Sequence, residues 1–270
     1  MPCHWRHLEH REQLLLETLM TRTGRTFGGA WSRLSGIMLA AIVALPAHAQ
    51  LPFTLRDCLA DRDEDARLHI CSIMSGTDEE KALGAVEASR ILRARGEYDA
   101  AVDLLESSRG SSALLYPEFG HVWFDQGDHM MADLHFEMAL ERGYEPDALT
   151  RERMVIAAHM YGEELQYSSE SFAGAIGAYS RALELDPDYM TSLLGRAEAS
   201  GVLGRHEEAL ADLDRAIALG ADWTGYLLRA RTRQELGDAA GAIADFRRVL
   251  EENPQHTEAR EALAGSGTLP

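Results

Sequence analysis

One short phrase recurs five times in this sequence and constrains its fold more than any other feature. The phrase is a small residue, three residues, a large apolar or aromatic residue, two residues and a further small or apolar residue. Its leading residues are Ala101, Ala132, Ala175, Ala209 and Ala242, at intervals of 31, 43, 34 and 33 residues. Self-similarity at a period of roughly 20 to 50 residues is typical of solenoids, in which each repeat packs on its neighbours. The long second interval indicates an insertion in the third copy.

Each copy has the pattern of two helices joined by a tight turn. Four copies have a glycine five residues before the leading alanine, and glycine adopts the left-handed backbone that ends a helix without steric penalty. Two copies end at a proline, which lacks the amide proton that a continuing helix needs. The turn glycines are Gly96, Gly127, Gly204 and Gly237, with Glu170 in the third copy, and the prolines are Pro187 and Pro254.

The first helices carry the residues that suggest a family. The second copy has aromatic, apolar, glycine and aromatic residues in the order Tyr116, Phe119, Gly120 and Trp123. The fourth and fifth copies have Leu193, Arg196, Ala197 and Ser200, and Tyr226, Arg229, Ala230 and Arg233, in the same register. Over residues 81–256 this pattern resembles the tetratricopeptide repeat family. The resemblance implies an all-α solenoid of about five helix-turn-helix repeats.

The third copy departs from this pattern. Its first helix, around residues 151–166, shows no small and aromatic residues in register, and its turn reads Ser-Ser-Glu-Ser over residues 168–171. We therefore expect a local bend or an extended hairpin there.

The N-terminus predicts export of a bacterial protein. Three arginines (Arg22, Arg25, Arg33) precede an apolar run at 36–45, and Pro46 and Ala-His-Ala follow. This is the pattern of a signal peptide over residues 1–49, with cleavage between Ala49 and Gln50 and a periplasmic or secreted product. The alternative is a membrane anchor, but this run is shorter than the ~20 residues of a spanning helix. A start at Met20 would make residues 1–19 spurious.

Two cysteines remain after this cleavage. In an oxidising compartment we expect Cys58 and Cys71 to form a disulfide, with two separate buried thiols as the alternative. On one continuous helix the two residues would lie about 20 Å apart, so the chain must turn between them, and the acidic segment 61–65 is a candidate turn. Residues 50–80 would then form a stapled N-terminal cap, and 257–270 a short C-terminal cap and tail.

The charge balance limits the class of partner. The formal net charge is -18. Residues 1–49 hold five arginines and three glutamates, so their removal leaves a chain near -20. Nucleic acid and anionic lipid both require basic patches, and none is present after residue 49. We therefore expect a neutral or basic protein or peptide partner, no nucleic acid and no membrane span.

The sequence offers no positive sign of a metal, cofactor or catalytic site. Asp61, Asp63 and Asp65 resemble the start of a calcium loop, but Ala66 stands where its glycine is required and Ser72 where its glutamate is required. Three histidines lie close together in the sequence, at His121, His129 and His135, but they lack the spacing of paired metal ligands. We interpret them as surface residues. We expect no cofactor and no enzymatic activity.

The family resemblance implies that the first helices line a concave groove where ligands bind. The side chains that hairpin packing does not require there form the candidate partner-binding set: Arg90, Arg93, His121, Phe124, Asp125, Glu198, Arg231, Gln234 and Glu235. For each of them an ordinary solvated helix face is the alternative. Phe124 is the strongest candidate, because an exposed aromatic residue can anchor a peptide side chain.

One sub-type of the family holds a peptide carboxylate with lysine and asparagine side chains on the first helices. This chain has neither residue type at the matching positions, which hold Val86, Arg90, Pro117, His121, Leu194, Glu198, Leu227 and Arg231. A carboxylate clamp is therefore not expected. The function predicted from the sequence is an interaction scaffold or adaptor that uses the groove. The alternatives are a structural subunit of an oligomeric envelope complex and, more remotely, a hydrolase built on carboxylates; the oligomeric state stays open.

Overall fold

The computed structural model describes residues 54–60, 63–108 and 112–266. Within these ranges the protein is all-α, with thirteen helices, one π-helical turn and no strand. This confirms the predicted fold class. The predicted signal peptide and its predicted cleavage site lie outside the described residues. Among the helices described, none is long and apolar enough to cross a membrane.

The helices form an N-terminal pair, five hairpins and a final short helix. The pair is α1 (Leu55–Cys58) and α2 (Glu64–Ser72). The hairpins are α3 (Asp78–Ala94) with α4 (Tyr98–Ser107), α5 (Leu115–Gln126) with α6 (His129–Glu141), α7 (Ala148–Glu163) with α8 (Phe172–Leu185), α9 (Met190–Val202) with α10 (His206–Ala218), and α11 (Trp223–Glu235) with α12 (Ala239–Glu252). The last helix is α13 (Thr257–Gly265).

The hairpin turns follow the glycine pattern. Gly96, Gly127, Gly204 and Gly237 all have positive φ, between 72° and 86°. Glu170 replaces glycine in the third hairpin and still has a φ of 50°, the one positive φ of a non-glycine residue among those described. Because a side chain strains this conformation, the fold imposes the same turn even where the sequence does not favour it.

The third hairpin contains one extra residue next to its turn. Residues Glu164–Ser168 form a π-helical turn directly after α7, and the Ser171 amide donates to the Leu165 carbonyl at 2.7 Å. A π turn accommodates a single inserted residue within a helix. The extra residue shifts the first helix by one position, so that Gly162 occupies the small position against Tyr179. The third copy therefore does have the small residue, with Tyr161 before it; the insertion hides both.

Helix α7 also begins farther ahead of its repeated phrase than the other first helices do. Helices α9 and α11 begin 19 residues before Ala209 and Ala242 respectively, whereas α7 begins 27 residues before Ala175. Its first half packs on the second hairpin, where Met154 and Ala157 contact Phe136. Its second half contacts the fourth hairpin through His159 and Ser192. The insertion expected in this copy therefore lies at the beginning of α7 and in the π turn. As a result, one part of α7 packs on the second hairpin and another part on the fourth.

The N-terminal pair is covalently stapled. The predicted disulfide joins Cys58 on α1 to Cys71 on α2, and both residues are buried. The two cysteines lie on separate helices, because α1 ends at Cys58 and α2 begins at Glu64 after its N-cap Asp63. Glu64 and Asp65 of the predicted turn thus belong to α2, and residues 61 and 62 lie outside the described residues. Cys71, Ile70 and Met74 pack against Ala88 of α3, so the pair covers the first hairpin.

Candidate functional site

The first helices of the hairpins form one side of the stack. We call the side formed by α3, α5, α7, α9 and α11 the first-helix face. Polar side chains on this face link neighbouring hairpins, for example Arg93 with Asp125 and Gln166 with Glu198. These links place the predicted site residues in three groups.

The first group, which we call the arginine cluster, consists of Arg90, Arg93, Glu118, Asp125 and Arg153. Asp125 bridges two guanidinium groups, because Arg93 donates to its Oδ2 at 2.6 Å and Arg153 to its Oδ1 at 2.7 Å. Arg93 also donates to Glu118 at 3.2 Å. Arg90 approaches Glu118 only to 3.5 Å, and its side chain is 59% exposed. Arg90 is therefore the most accessible cation of the cluster.

Glu118 is the buried carboxylate of the arginine cluster. Its side chain is 2% exposed. Burial raises the pKa of this carboxyl, and the positive charges of Arg93 and Arg90 oppose that increase. A carboxylate in such a position requires its cationic partners, so Arg93 acts as a structural residue as well as a surface one.

His121 and Phe124 lie beside this cluster, partly covered by the long helix α7. His121 Nε2 is 3.3 Å from Thr150 Oγ1, and burial lowers the pKa of His121 to about 4, helped by the charge of Arg93. The Arg153 guanidinium lies 5.1 Å from the centre of the Phe124 ring. The predicted exposed aromatic anchor is therefore a half-buried ring that already contacts a cation.

The second group, which we call the glutamate cluster, consists of Glu163, Gln166, Tyr167 and Glu198. Gln166 Nε2 and the Tyr167 hydroxyl both donate to Glu198 Oε2 at 2.8 Å. The ring of Tyr167 remains exposed, with 65% of the residue accessible. Burial, the hydrogen bond to Glu198 and the charges of Glu198 and Glu163 raise the pKa of Tyr167 to about 12.

The third group lies at the C-terminal end of the face. Arg231 donates to both carboxylate oxygens of Glu258, at 2.7 and 2.5 Å. Hydrogen bonding to Glu258 raises the pKa of Arg231, and the charge of Glu198 adds to that increase. Gln234 and Glu235 are exposed at the end of α11.

Several residues of these groups did not follow from the sequence pattern. Glu118 precedes the recognised Phe119, but its role depends on Arg93 of the neighbouring hairpin. Arg153 lies in the first turns of α7 and Tyr167 in the π turn, and the repeated phrase predicts neither position. Within the last two hairpins, Arg196 binds Asp212 and Arg229 binds Asp245 through paired hydrogen bonds, and these contacts were also missed.

The interpretation of the three histidines as surface residues is wrong for His135, and His121 is half-buried beside α7. His135 is 4% exposed, and its ring stacks on Phe119 with 5.0 Å between centroids, so it is a core residue. Because it occupies the position that Asp212 and Asp245 hold in later repeats, the second hairpin uses ring stacking where the fourth and fifth use an ion pair. In the described ranges, no three histidine, cysteine or carboxylate side chains are placed to hold a metal ion.

Comparison with known proteins decides the family. The family model for the tetratricopeptide repeat matches residues 164–224 and 227–267. These ranges hold the π turn and second helix of the third hairpin, the fourth and fifth hairpins, and α13. The repeats within residues 164–267 belong to the tetratricopeptide repeat family.

Several curated proteins are similar in sequence to part of this chain. The DnaJ homolog subfamily C member 7 homolog of Schizosaccharomyces pombe is 28% identical over 155 residues, which is 53% of this chain and 32% of that protein. The Hsp70-Hsp90 organizing protein of Triticum aestivum is 31% identical over 99 residues, 36% of this chain and 17% of that protein. The chain thus spans a third or less of either relative.

Among solved structures, that of YrrB, described as a tetratricopeptide repeat protein with an unusual peptide-binding site, is similar. It is 19% identical, with 68% of this chain and 92% of that one covered and a TM-score of 0.49.

Proposed function

We propose that this tetratricopeptide repeat protein is a non-enzymatic scaffold that binds another protein, or a peptide segment of one, through its first-helix face. One observation carries the proposal: this face holds two ordered polar clusters that each keep a side chain accessible. Arg90 is exposed in the arginine cluster and Tyr167 in the glutamate cluster. Interfaces concentrate their binding energy in arginine and aromatic residues of this kind.

The relatives support the same class of function. One of them is named as an organiser of two other proteins, Hsp70 and Hsp90. This chain matches a small part of that relative, so the shared property we infer is the ability to bind a protein, without a named partner. The absence of lysine and asparagine at the clamp positions argues for a ligand other than a C-terminal carboxylate.

Affinity capture with paired variants tests the proposal. The double variant Arg90→Ala/Tyr167→Ala removes the accessible side chain of each cluster. The matched control Met130→Ala/Arg215→Ala removes one large side chain and one arginine from the exposed surface of second helices α6 and α10. We expect the first variant to lose partners that the native protein and the control both retain. Equal capture by all three proteins would reject the first-helix face as the binding surface.

We further propose that the protein acts after export, in the periplasm or outside the cell. The predicted signal peptide and the Cys58–Cys71 disulfide support this location, because disulfides persist in oxidising compartments. Sequencing the N-terminus of the protein recovered from its native host tests it directly. The expected mature N-terminus is Gln50; a retained N-terminal segment in a cytosolic fraction would contradict it.

A structural role in an oligomeric envelope complex is the second candidate, and one observation favours it. The outer surface of α6 exposes Met130, Leu134 and Leu140, at 46%, 39% and 37%. Light scattering after size-exclusion chromatography tests this role with the native protein and Leu134→Asp. An oligomer that the substitution dissociates would favour it, and a monomer in both cases would reject self-assembly through α6.

A further inference from the structure

The carboxylate of Glu198 in the glutamate cluster is oriented by hydrogen bonds but forms no ion pair. Gln166 and Tyr167 donate to the same oxygen of Glu198, Oε2, and Tyr179 donates to Gln166 Oε1 at 3.2 Å. No described residue donates to Glu198 Oε1. All of these donors are uncharged, so they fix the direction of the carboxylate and leave its charge uncompensated.

The ring of Tyr167 is exposed next to that carboxylate. Its hydroxyl is tied to Glu198, so the ring cannot rotate freely away from the surface although most of it is accessible. The face of an aromatic ring attracts cations such as guanidinium and ammonium groups. An ordered ring loses little conformational freedom when a ligand stacks on it.

The surroundings reinforce the negative character of this surface. The side chain of Glu163 is 43% exposed, and its charge contributes, after burial and Glu198, to the raised pKa of Tyr167. The nearest cation on the next first helix, Arg231, is held by both oxygens of Glu258. Its main partner is therefore Glu258, and its charge compensates that of Glu198 only from a distance, without an ion pair between them.

The end of α9 places an exposed apolar side chain beside the carboxylate of Glu198. Val202 lies one helical turn after Glu198 and is 58% exposed. Between them, Gly201 faces open space, with no atom within 4 Å of where a Cβ would lie. An extended chain with a basic side chain next to an apolar one would match this combination of charge and shape.

We propose that the glutamate cluster binds an arginine or lysine side chain of an extended partner segment. The cation contacts Glu198 Oε1 and the face of the Tyr167 ring, and a neighbouring apolar side chain lies against Val202. This inference rests on the proposed function and specifies the chemistry of the partner. The π turn is part of the site, because it supplies both Gln166 and Tyr167.

Selection from a displayed library of random heptapeptides tests the inference on the purified full-length protein. We expect the selected peptides to be enriched in arginine or lysine beside an apolar residue. Since basic peptides also adsorb non-specifically to a protein of net charge -18, the comparison is between two variants with the same change in charge. Glu198→Gln should abolish the enrichment, and Glu208→Gln, at a 66% exposed position on α10, should leave it unchanged.

Affinities of one selected peptide give the second readout. We expect fluorescence anisotropy to show a roughly tenfold weaker complex with Glu198→Gln and a several-fold weaker one with Tyr167→Ala. Replacing the basic residue of the peptide by glutamine should cost as much as Glu198→Gln, and the two changes together should cost no more than either alone, as expected for direct partners. Circular dichroism and thermal unfolding verify that each variant is folded.

The outcomes separate this inference from the function on which it rests. Peptides that are selected but lack basic residues, or that bind Glu198→Gln and Glu208→Gln equally well, would overturn the inference and leave a peptide-binding face in place. Peptides that no longer bind the Arg90→Ala/Tyr167→Ala variant but tolerate Glu198→Gln would do the same. A library from which nothing is selected would contradict the proposed binding of peptide segments itself.

Discussion

The close packing of helices around Tyr179, the large residue of the third hairpin, depends on glycines. A Cβ atom at Gly162 would lie 2.6 Å from the ring of Tyr179, and one at Gly195 of the next hairpin would lie equally close to it. The ring therefore fits between two first helices only because both lack a side chain there. Gly120 and Phe136 make the same contact in the second hairpin.

Substitution of Gly162 by alanine should destabilise the protein despite the higher helix propensity of alanine. The added methyl group clashes with a fully buried ring, and such overpacking costs about 1 to 3 kcal/mol. Gly201→Ala is the matched control, because that helical glycine faces open space and its replacement should stabilise by up to about 1 kcal/mol. Urea unfolding of both variants measures the difference, and similar free energies would contradict this packing.

His121 gives the stability of the protein a specific pH dependence. Its folded-state pKa of about 4 lies below its ordinary value of 6.5, because it is buried next to Arg93. The unfolded chain therefore binds a proton more readily, and the stabilising contribution is complete above pH 6.5 and is lost as the pH falls from 6.5 towards 4.

Replacing His121 with glutamine should flatten that dependence. We expect the native protein to lose about 1 to 2 kcal/mol more stability between pH 7 and pH 4.5 than the variant, a value reduced to allow for partial exposure. His69→Gln, at an exposed position on α2, serves as the control and should retain the native slope. Parallel slopes for the native protein and His121→Gln would show that His121 is not buried in its neutral form.

At the scale of the secondary-structure elements, the turn of the third hairpin stands out. Its Glu170 adopts a φ of 50° that glycine adopts in the other four hairpins. The flanking π turn and α8 hold this conformation although a side chain makes it unfavourable. Strain of this kind is stored locally and can be removed by one substitution.

Glu170→Gly should therefore stabilise the protein by about 0.5 to 1 kcal/mol, after the larger entropy of glycine in the unfolded chain is deducted. The reciprocal change, Gly204→Glu, introduces the same strain into the fourth hairpin and should cost about 1 to 2 kcal/mol. Thermal unfolding of the two variants measures both effects. A loss of stability in Glu170→Gly would mean that the glutamate side chain has a favourable role at this turn.

The elements that could be predicted are those with a local signal. The hairpin turns follow from glycine spacing, and the disulfide follows from two cysteines that the chain can bring together. The first helix of the third copy was predicted around residues 151–166, close to α7 and its π turn. Its packing residues could not be recognised, because a one-residue π insertion moves Gly162 out of register with the later phrase at Ala175. The additional turns of α7 look like an ordinary helix and give no sign of which hairpin they contact.

The site was predicted as a face and not as a set of contacts. Spacing alone indicates that Arg93 and Asp125 lie on first helices, but their contact depends on how neighbouring hairpins are stacked. Tyr167 was missed because it lies in the π turn, which the repeated phrase does not predict. The partner-binding role of the nine predicted residues stays a prediction.

At the scale of the whole molecule, each hairpin contacts mainly its neighbours in sequence. Solenoids of this kind lose structure locally, because the stability of one end depends little on contacts at the other. The disulfide at Cys58 and Cys71 belongs to the N-terminal end, where it joins two short helices that cover α3.

Removal of the disulfide should consequently affect only part of the stack. We expect the double variant Cys58→Ala/Cys71→Ala to destabilise α1 to α3 by about 3 kcal/mol, as estimated for closing a loop of this length. Hydrogen exchange measured by mass spectrometry should show faster exchange there and unchanged exchange in α9 to α12. The reduced native protein is a second test of the same effect, and uniform acceleration along the chain would contradict the solenoid description.

Binding of a protein segment to the first-helix face can be observed by hydrogen exchange of the native protein with and without a peptide selected for binding. We expect new protection in α7, the π turn, α9 and α11, with second helices α6, α10 and α12 unchanged. Protection confined to those second helices, with the first helices unaffected, would contradict it.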